Sequence, residues 1–369
     1  MSDQLNINLN YVNSCVKMAS RDLAYSIFRG ENSRPGLHVE SDDKDVEYKM
    51  SDFVSSRARI ATWDRYFISG GPFHRNIHER LTAWIERVDP QSYDWESIHD
   101  DLIDGVNNFK RKMSKYKERF IIFKVLGPTE TAEGFFAKPL TSAHLKRKQL
   151  AHSFHFGVLL SLSFKRAIEV YERIAKTIMM LIELGCEVEF VDGIRIADDV
   201  AIYTGPIYPK EFIKEYLKWH RKFAETIHRA SKLAILHTDG DITKLGLFNS
   251  LSEIYDGIHP LDVMPKSTLK DALTWVETIC SIRSKLKDKL TFFTGIPIDL
   301  VFNDKVSVNE LLQVVKELIR CHGVEQLVVA TTHSPYPGRS YGEPGPLSKV
   351  MAIRKFVLAY HRRNREPML

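Results

Sequence analysis

Cysteine is scarce in this chain: four residues in 369, at positions 15, 186, 280 and 321, with no CxxC pair. That is a poor disulfide framework and a poor cysteine zinc site, so a reducing, cytoplasmic setting is expected. Long apolar runs are also missing. The longest, FGVLLSLSF (156–164), carries serines and falls short of the roughly 20 residues that cross a bilayer, so no membrane partner is expected. The N-terminal MSDQLNINLNYVN has neither a basic start nor an apolar centre, and a secretory signal is not expected. No GxGxxG or GxxxxGK[ST] stretch occurs, which leaves an open nucleotide-binding sheet without its usual fingerprint. Low-complexity tracts are absent as well.

What is present has the composition of a globular protein, 44% hydrophobic and 27% charged. The net charge is +5, concentrated in FKRKMSKYKER (109–119) and LKRK (145–148). Such runs read as solvated helix faces, with an anionic partner or substrate as the alternative. No recognised motif accompanies them, so nucleic acid is not an expected partner.

The first hundred residues are irregular. SRPGLHVE (33–40) holds one short strand, SDDKDVE (41–47) reads as an acidic loop, and RLTAWIERV (80–88) has helical spacing ended by Asp-Pro. Regular alternation begins at RFIIFKVLGP (119–128), a β-rich run, and is followed by a helical, insertion-like segment over 129–165. An amphipathic helix then spans 165–185, and CEVEFVDG (186–193) reads as a strand. A helix follows Pro209, LAILH (233–237) is a short apolar strand, and GIHPLDV (257–263) another. Thr268 with Asp271 and Ser307 with Glu310 predict capping boxes for helices 269–287 and 308–322. LTFFTGI (290–296) and QLVVATTH (326–333) complete the strands. Apolar strands alternating with helices indicate a parallel sheet buried on both faces. Length and repetition favour a (β/α)8 TIM-type barrel, with residues 1–110 as an irregular, partly helical extension and 111–369 as the barrel domain.

Barrel active sites lie at the C-terminal ends of the strands. There the chain repeatedly places acids and histidines: Asp198 and Asp199; His237, Asp239 and Asp241; His259 and Asp262; Asp299; His333. The stretch LHTDGD (236–241) poses the question most sharply. Its acids and glycine serve equally as a turn, and His237 as a hydrogen-bonded core residue. Five successive polar exits favour a functional mouth. A lone HxD is not specific for metal, and the HxxxH and HExxH spacings are absent.

Taken in order, EFVDGIRIADDVAIYTGPIYPKEFIKEYLKWHRKF (189–223), LAILHTDGDITKL (233–245), LSEIYDGIHPLD (251–262), FFTGIPID (292–299) and the HSPYPG loop (333–338) resemble the uroporphyrinogen decarboxylase superfamily. FKVLGPTETAEGFF (123–136) adds a weaker piece, and the likeness covers roughly residues 120–350. The resemblance implies one of two chemistries, cofactor-free decarboxylation or methyl transfer involving corrinoid proteins. The arginine-rich opening of true decarboxylases has only a loose echo in RARIATWDRYF (57–67), which counts against a polycarboxylate substrate. In the zinc-dependent methyltransferases His237 matches the motif histidine, but Asp239 stands in place of the first cysteine and the region of His333 falls near the second; the zinc-independent branch, in which a pocket acid or histidine protonates the leaving group, accommodates these departures best.

The resemblance therefore implies a cytoplasmic enzyme that moves a methyl group from a small substrate toward a corrinoid protein or related acceptor. Asp199, His237 and Asp239 are its implied catalytic residues, and Asp198, Tyr203, His259, Asp299, His333 and Tyr336 its substrate-binding residues. A zinc site would comprise His237, Asp239 and His333. The alternatives are a decarboxylase of uroporphyrinogen or a smaller carboxylate, and a non-catalytic barrel that binds a tetrapyrrole or a partner. The oligomeric state is open, a homodimer being one outcome.

Overall fold

A computed structural model describes residues 21–60, 98–136, 155–286 and 290–360. Among the described residues ten strands occur in chain order: β1 Gly36–His38, β2 Phe53–Arg57, β3 Phe120–Leu126, β4 Gly193–Ala197, β5 Ala201–Ile202, β6 Gly205–Pro206, β7 Leu233–Asp239, β8 Gly257–Asp262, β9 Thr291–Ile296 and β10 Leu327–Thr331. Eight of them form one sheet in the order β1-β10-β9-β8-β7-β4-β3-β2, every pairing parallel. β5 and β6 make a small antiparallel hairpin after β4. The ends of the long sheet, β1 and β2, meet through one backbone bond and two side chains. Asp52 N–H donates to the Leu37 carbonyl at 2.8 Å, while the Asp52 carboxylate and the Ser51 hydroxyl accept from Leu37 N–H and Val39 N–H. These bonds satisfy backbone groups that the missing ladder leaves open, and the result is a nearly closed (β/α)8-type barrel.

The strands are apolar because they are buried on both faces. Phe53, Phe120, Ile122, Ile235, Phe293 and Val328 fill the N-terminal end of the barrel interior. Helix Arg21–Arg29 plugs that end with Ala24 and Ile27, and Phe28 packs on Phe120 and Phe293. Each such fully buried aromatic or aliphatic side chain contributes about 1.5–3 kcal/mol. The outer layer comes from helices Phe164–Cys186, Lys210–Arg229, Leu269–Lys285 and Val308–His322, whose apolar stripes hold Ile178, Phe212, Trp275 and Val314. Ser307 and Glu310 form the full capping box. Thr268 accepts from Asp271 N–H, but the Asp271 carboxylate returns to the Thr268 hydroxyl.

Several expectations change. β1 and β2 belong to the barrel, so a boundary at residue 110 does not separate an extension from it; the short strand expected within 33–40 is Gly36–His38. Residues 44–50 form a helix because Asp43 caps it, accepting from Asp45 N–H at 3.0 Å and Val46 N–H at 3.3 Å. The fourth strand is Gly193–Ala197 rather than 186–193. Asp192 bonds both backbone groups of Ile121 and fixes the entry into β4 at Gly193. Cys280 and Cys321 form a disulfide between neighbouring helices, their Cα atoms 5.8 Å apart, where only unpaired thiols were expected. The helix at 80–88, the LKRK run and much of 57–75 and 129–165 lie outside the described residues. No helix among the described residues is long and apolar enough to cross a membrane.

Candidate metal and proton-transfer site

The C-terminal mouth of the barrel brings together residues from β4, β7, β8 and the loop after β10. On β7 the inward positions run Ile235, His237, Asp239, so the apolar floor changes to a polar rim within one strand. His237 pairs in register with His259 of β8. The next step contains a bulge: Asp239 pairs with Asp262, and Leu261 takes up the extra residue in a left-handed conformation, φ 61°. The buried Trp275 indole N–H donates to the Leu261 carbonyl at 2.7 Å and holds this geometry. The bulge turns Asp262 toward the mouth beside Asp239.

The hydrogen bonds fix the tautomers of both histidines. His259 Nε2 lies 2.8 Å from the Thr331 carbonyl, which can only accept, so Nε2 carries the proton. Burial, then the neighbouring His237 and Arg195, hold His259 neutral, well below the usual imidazole range. Its Nδ1 therefore accepts, and His237 Nδ1, 2.6 Å away, must donate. Burial pushes His237 down to about 4, with the Arg195 charge adding to this against the opposing pull of Asp239. A neutral His237 that donates through Nδ1 has a bare Nε2, the state of a metal-ligating imidazole.

Asp239 supplies a second free donor. Its Oδ2 pairs with His333 Nε2 at 3.2 Å, while its Oδ1 is buried with no hydrogen-bond partner among the described residues. Burial opposes ionisation of Asp239, but His333 and His237 outweigh it and hold the carboxyl low. His333 also approaches Asp262 at 3.9 Å. Although burial works against its charge, these two carboxylates raise His333 to about 10. Asp262 in turn pairs with the buried Lys266.

One donor atom from each of His237, Asp239 and His333 lies within 4.8 Å of the others. Ligands about 2.1 Å from a tetrahedral zinc sit about 3.4 Å apart. Small rotamer changes and release of the His333 proton would close the set, and two histidines with one carboxylate leave a position open for substrate. The buried unpartnered oxygen and the bare ring nitrogen fit a divalent cation.

On the β4 side, Asp199 accepts Asp239 N–H at 2.7 Å. Burial, with the Asp239 charge next, raises Asp199 well above the carboxylate range. Glu130 is raised in the same direction by burial and by Asp199. Both acids are thereby biased toward the protonated form. Asp198 has a different place: it is fully buried and accepts from Thr129 N–H at 2.8 Å, Glu130 N–H at 3.0 Å and the Thr129 hydroxyl, with His220 Nε2 at 2.9 Å. It anchors the N-terminus of helix Pro128–Phe136 and so sets the position of Glu130; it is not open to a substrate.

The other named residues divide. His259 is completely buried and positions His237 rather than touching a ligand. Asp241 makes the turn, accepting Thr243 N–H at 3.0 Å. Tyr203 lies in the β5–β6 turn at the rim, where burial and the Asp262 charge push its hydroxyl up to about 12. Tyr336 bonds Asp299 farther along the rim, and both tyrosines are exposed. Below the histidines lies a group that strand-end reading did not find. Lys124 of β3 and Arg195 of β4 stand in register and share the Glu40 carboxylate, Arg195 at 2.7 Å. Their only sequence signal is one cation inside an otherwise apolar strand, FIIFKVL and GIRIA.

No family model and no curated protein matches the chain. Among solved structures it is similar to a B12-independent methionine synthase from Shewanella sp. W3-18-1 in complex with selenomethionine, at 14% identity and TM-score 0.38, covering 68% of this chain and 66% of that one. It is also similar to a hyperthermostable endo-1,4-beta-D-mannanase from Thermotoga petrophila RKU-1, at 11% identity and TM-score 0.47, covering 88% and 99%. Neither likeness is close enough to carry function.

Proposed function

We propose that this chain is a metal-dependent barrel enzyme that transfers a methyl group from a small substrate to a corrinoid protein or related acceptor. In this reading zinc is held by His237, Asp239 and His333. The observation that carries the metal is the convergence of two unused donors, the bare Nε2 of His237 and the buried Oδ1 of Asp239. The choice of methyl transfer rests on the ordered resemblance to the uroporphyrinogen decarboxylase superfamily. The corrinoid, as a partner's group, and a cytoplasmic setting belong to the same reading.

The metal's contribution when bound is Lewis acidity toward a thiol or oxygen at its open position. The chain's own residues do the rest. His259 keeps His237 in the ligating tautomer, and Thr331 keeps His259 in its own. Asp199, whose carboxyl is biased toward the protonated form beside Asp239, would give a proton to the leaving atom as the methyl group departs. Tyr203 and Tyr336 offer aromatic surface and hydroxyls at the rim.

The test is to incubate the full chain with zinc, cob(I)alamin and a panel of methylated or methoxylated small molecules, following formation of methylcobalamin. The expected result is transfer that His237→Ala abolishes and Asp199→Asn slows. Conversion of uroporphyrinogen III to coproporphyrinogen, with no methyl transfer, would overturn the reading.

A further inference from the structure

Five cations face one concavity of about 400 Å³ at the C-terminal ends of β2 and β3: Lys44, Arg57, Arg59, Lys112 and Lys124. Among the described residues, Asp42 is the sole carboxylate in its lining. Separate elements supply them. Arg57 ends β2 and Arg59 follows it, Lys124 comes from β3, Lys44 opens helix Lys44–Met50, and Lys112 lies in the last turn of helix Ile98–Met113. Gly105 allows the chain after β2 to lie against that last helix. A Cβ there would sit 2.9 Å from Ile60 Cγ1 and 3.0 Å from the Arg59 carbonyl oxygen.

The five charges are not equally compensated. Lys44 pairs with Glu47, and Lys124 with Glu40. Arg57, Arg59 and Lys112 have no carboxylate partner among the described residues. Burial and the nearby Lys44 and Arg59 charges depress Lys112, as crowding of like charge should. Uncompensated guanidinium groups at a concave surface favour an oxyanion, which they can bind through paired N–H donors.

The cavity is joined to the histidine site through the sheet. Lys124 is in register with Arg195, the two share Glu40, and Ala197 two residues beyond Arg195 is in register with His237. β3 and β7 are separated only by β4, a span of about 10 Å. A single small molecule occupying both sites would have to span at least this distance.

We propose that this cavity is an anion-binding site that takes the phosphate or carboxylate end of a small molecule, with Arg57 and Arg59 as hydrogen-bonding cations and Lys112 as a point charge. Anion binding is independent of the metal reading; only the assignment of both sites to one substrate rests on it.

Calorimetric titration of inorganic phosphate and of malonate into the full chain tests the proposal. One saturable site is expected, weakened about tenfold or more in the Arg57→Gln/Arg59→Gln double variant and less in Lys112→Gln. Binding should weaken as ionic strength rises. His237→Ala should leave it unchanged, so loss of the metal reading and loss of this one are separable. Tighter phosphate binding identifies a phosphorylated ligand, and tighter malonate binding a carboxylate. No saturable binding of either, or equal affinity in every variant, overturns the proposal. If the double variant does not fold, Lys112→Gln on the exposed helix face decides between the same outcomes.

Discussion

Replacing His259 with leucine tests the tautomer argument at its pivot. His259 touches no ligand in this account, since it is wholly buried and spends both ring nitrogens on His237 and Thr331. Leucine of similar size removes the acceptor that holds the His237 proton on Nδ1. His237 is then free to carry its proton on Nε2, the atom needed for the metal. Loss of a hydrogen bond that orients a metal-ligating histidine costs about 10–100-fold in metal affinity, or about 1.4–2.8 kcal/mol. The Thr331 carbonyl and the His237 Nδ1–H also lose their partners, at about 1–3 kcal/mol of folding stability each. Zinc affinity should be read by competition with a chromophoric chelator, and the tautomers by two-dimensional nitrogen–proton NMR of the imidazoles. Wild-type protein should show His237 protonated at Nδ1 alone, and the variant should bind zinc more weakly while remaining folded. Unchanged affinity, or an Nε2–H tautomer of His237 in the wild type, would refute the reasoning.

Three further outcomes follow from the structure. Gly127→Ala would place a Cβ 2.2 Å from Asp198 Cβ and Cγ, and overpacking there should cost about 1–3 kcal/mol or more in urea unfolding, with zinc content kept. Burial, aided by the Arg283 charge, lowers His322 to about 4, and burial lowers His38 to about 3. The unfolded chain therefore binds protons below about pH 6.5 that the native state refuses, so stability is full above that pH and falls toward pH 4, by on the order of 3 kcal/mol per histidine; His322→Leu should flatten the profile. The Cys280–Cys321 link closes 41 residues, so its removal by Cys280→Ser/Cys321→Ser should cost up to about 4 kcal/mol, and non-reducing peptide mass spectrometry should find the cross-linked pair.

The regular half of the barrel was legible because β3, β7, β9 and β10 are apolar runs with capping signals between them. CEVEFVDG misled because its alternation has the strand period, yet Asp192 fixes the strand start one residue after it. The HxD of β7 announced itself at a strand end. Asp262 was seen in the chain, but its place beside Asp239 depends on the bulge at Leu261, which has no local sequence signal. Glu40, Lys124 and Arg195 were passed over because a charge inside an apolar strand has meaning only when its partner from a distant segment is known. Asp198 and Asp199 are adjacent in sequence and opposite in role, since alternate residues face opposite ways as the strand ends. The disulfide joins thiols on two helices that only the closed barrel brings together.

The most direct test of the central claim is the metal content of the purified full chain by plasma mass spectrometry, beside that of His237→Ala. The account predicts about one zinc per chain in the wild type and its loss in the variant, with the fold intact by circular dichroism. Folded wild-type protein that holds no divalent metal, even after incubation with zinc, would contradict it.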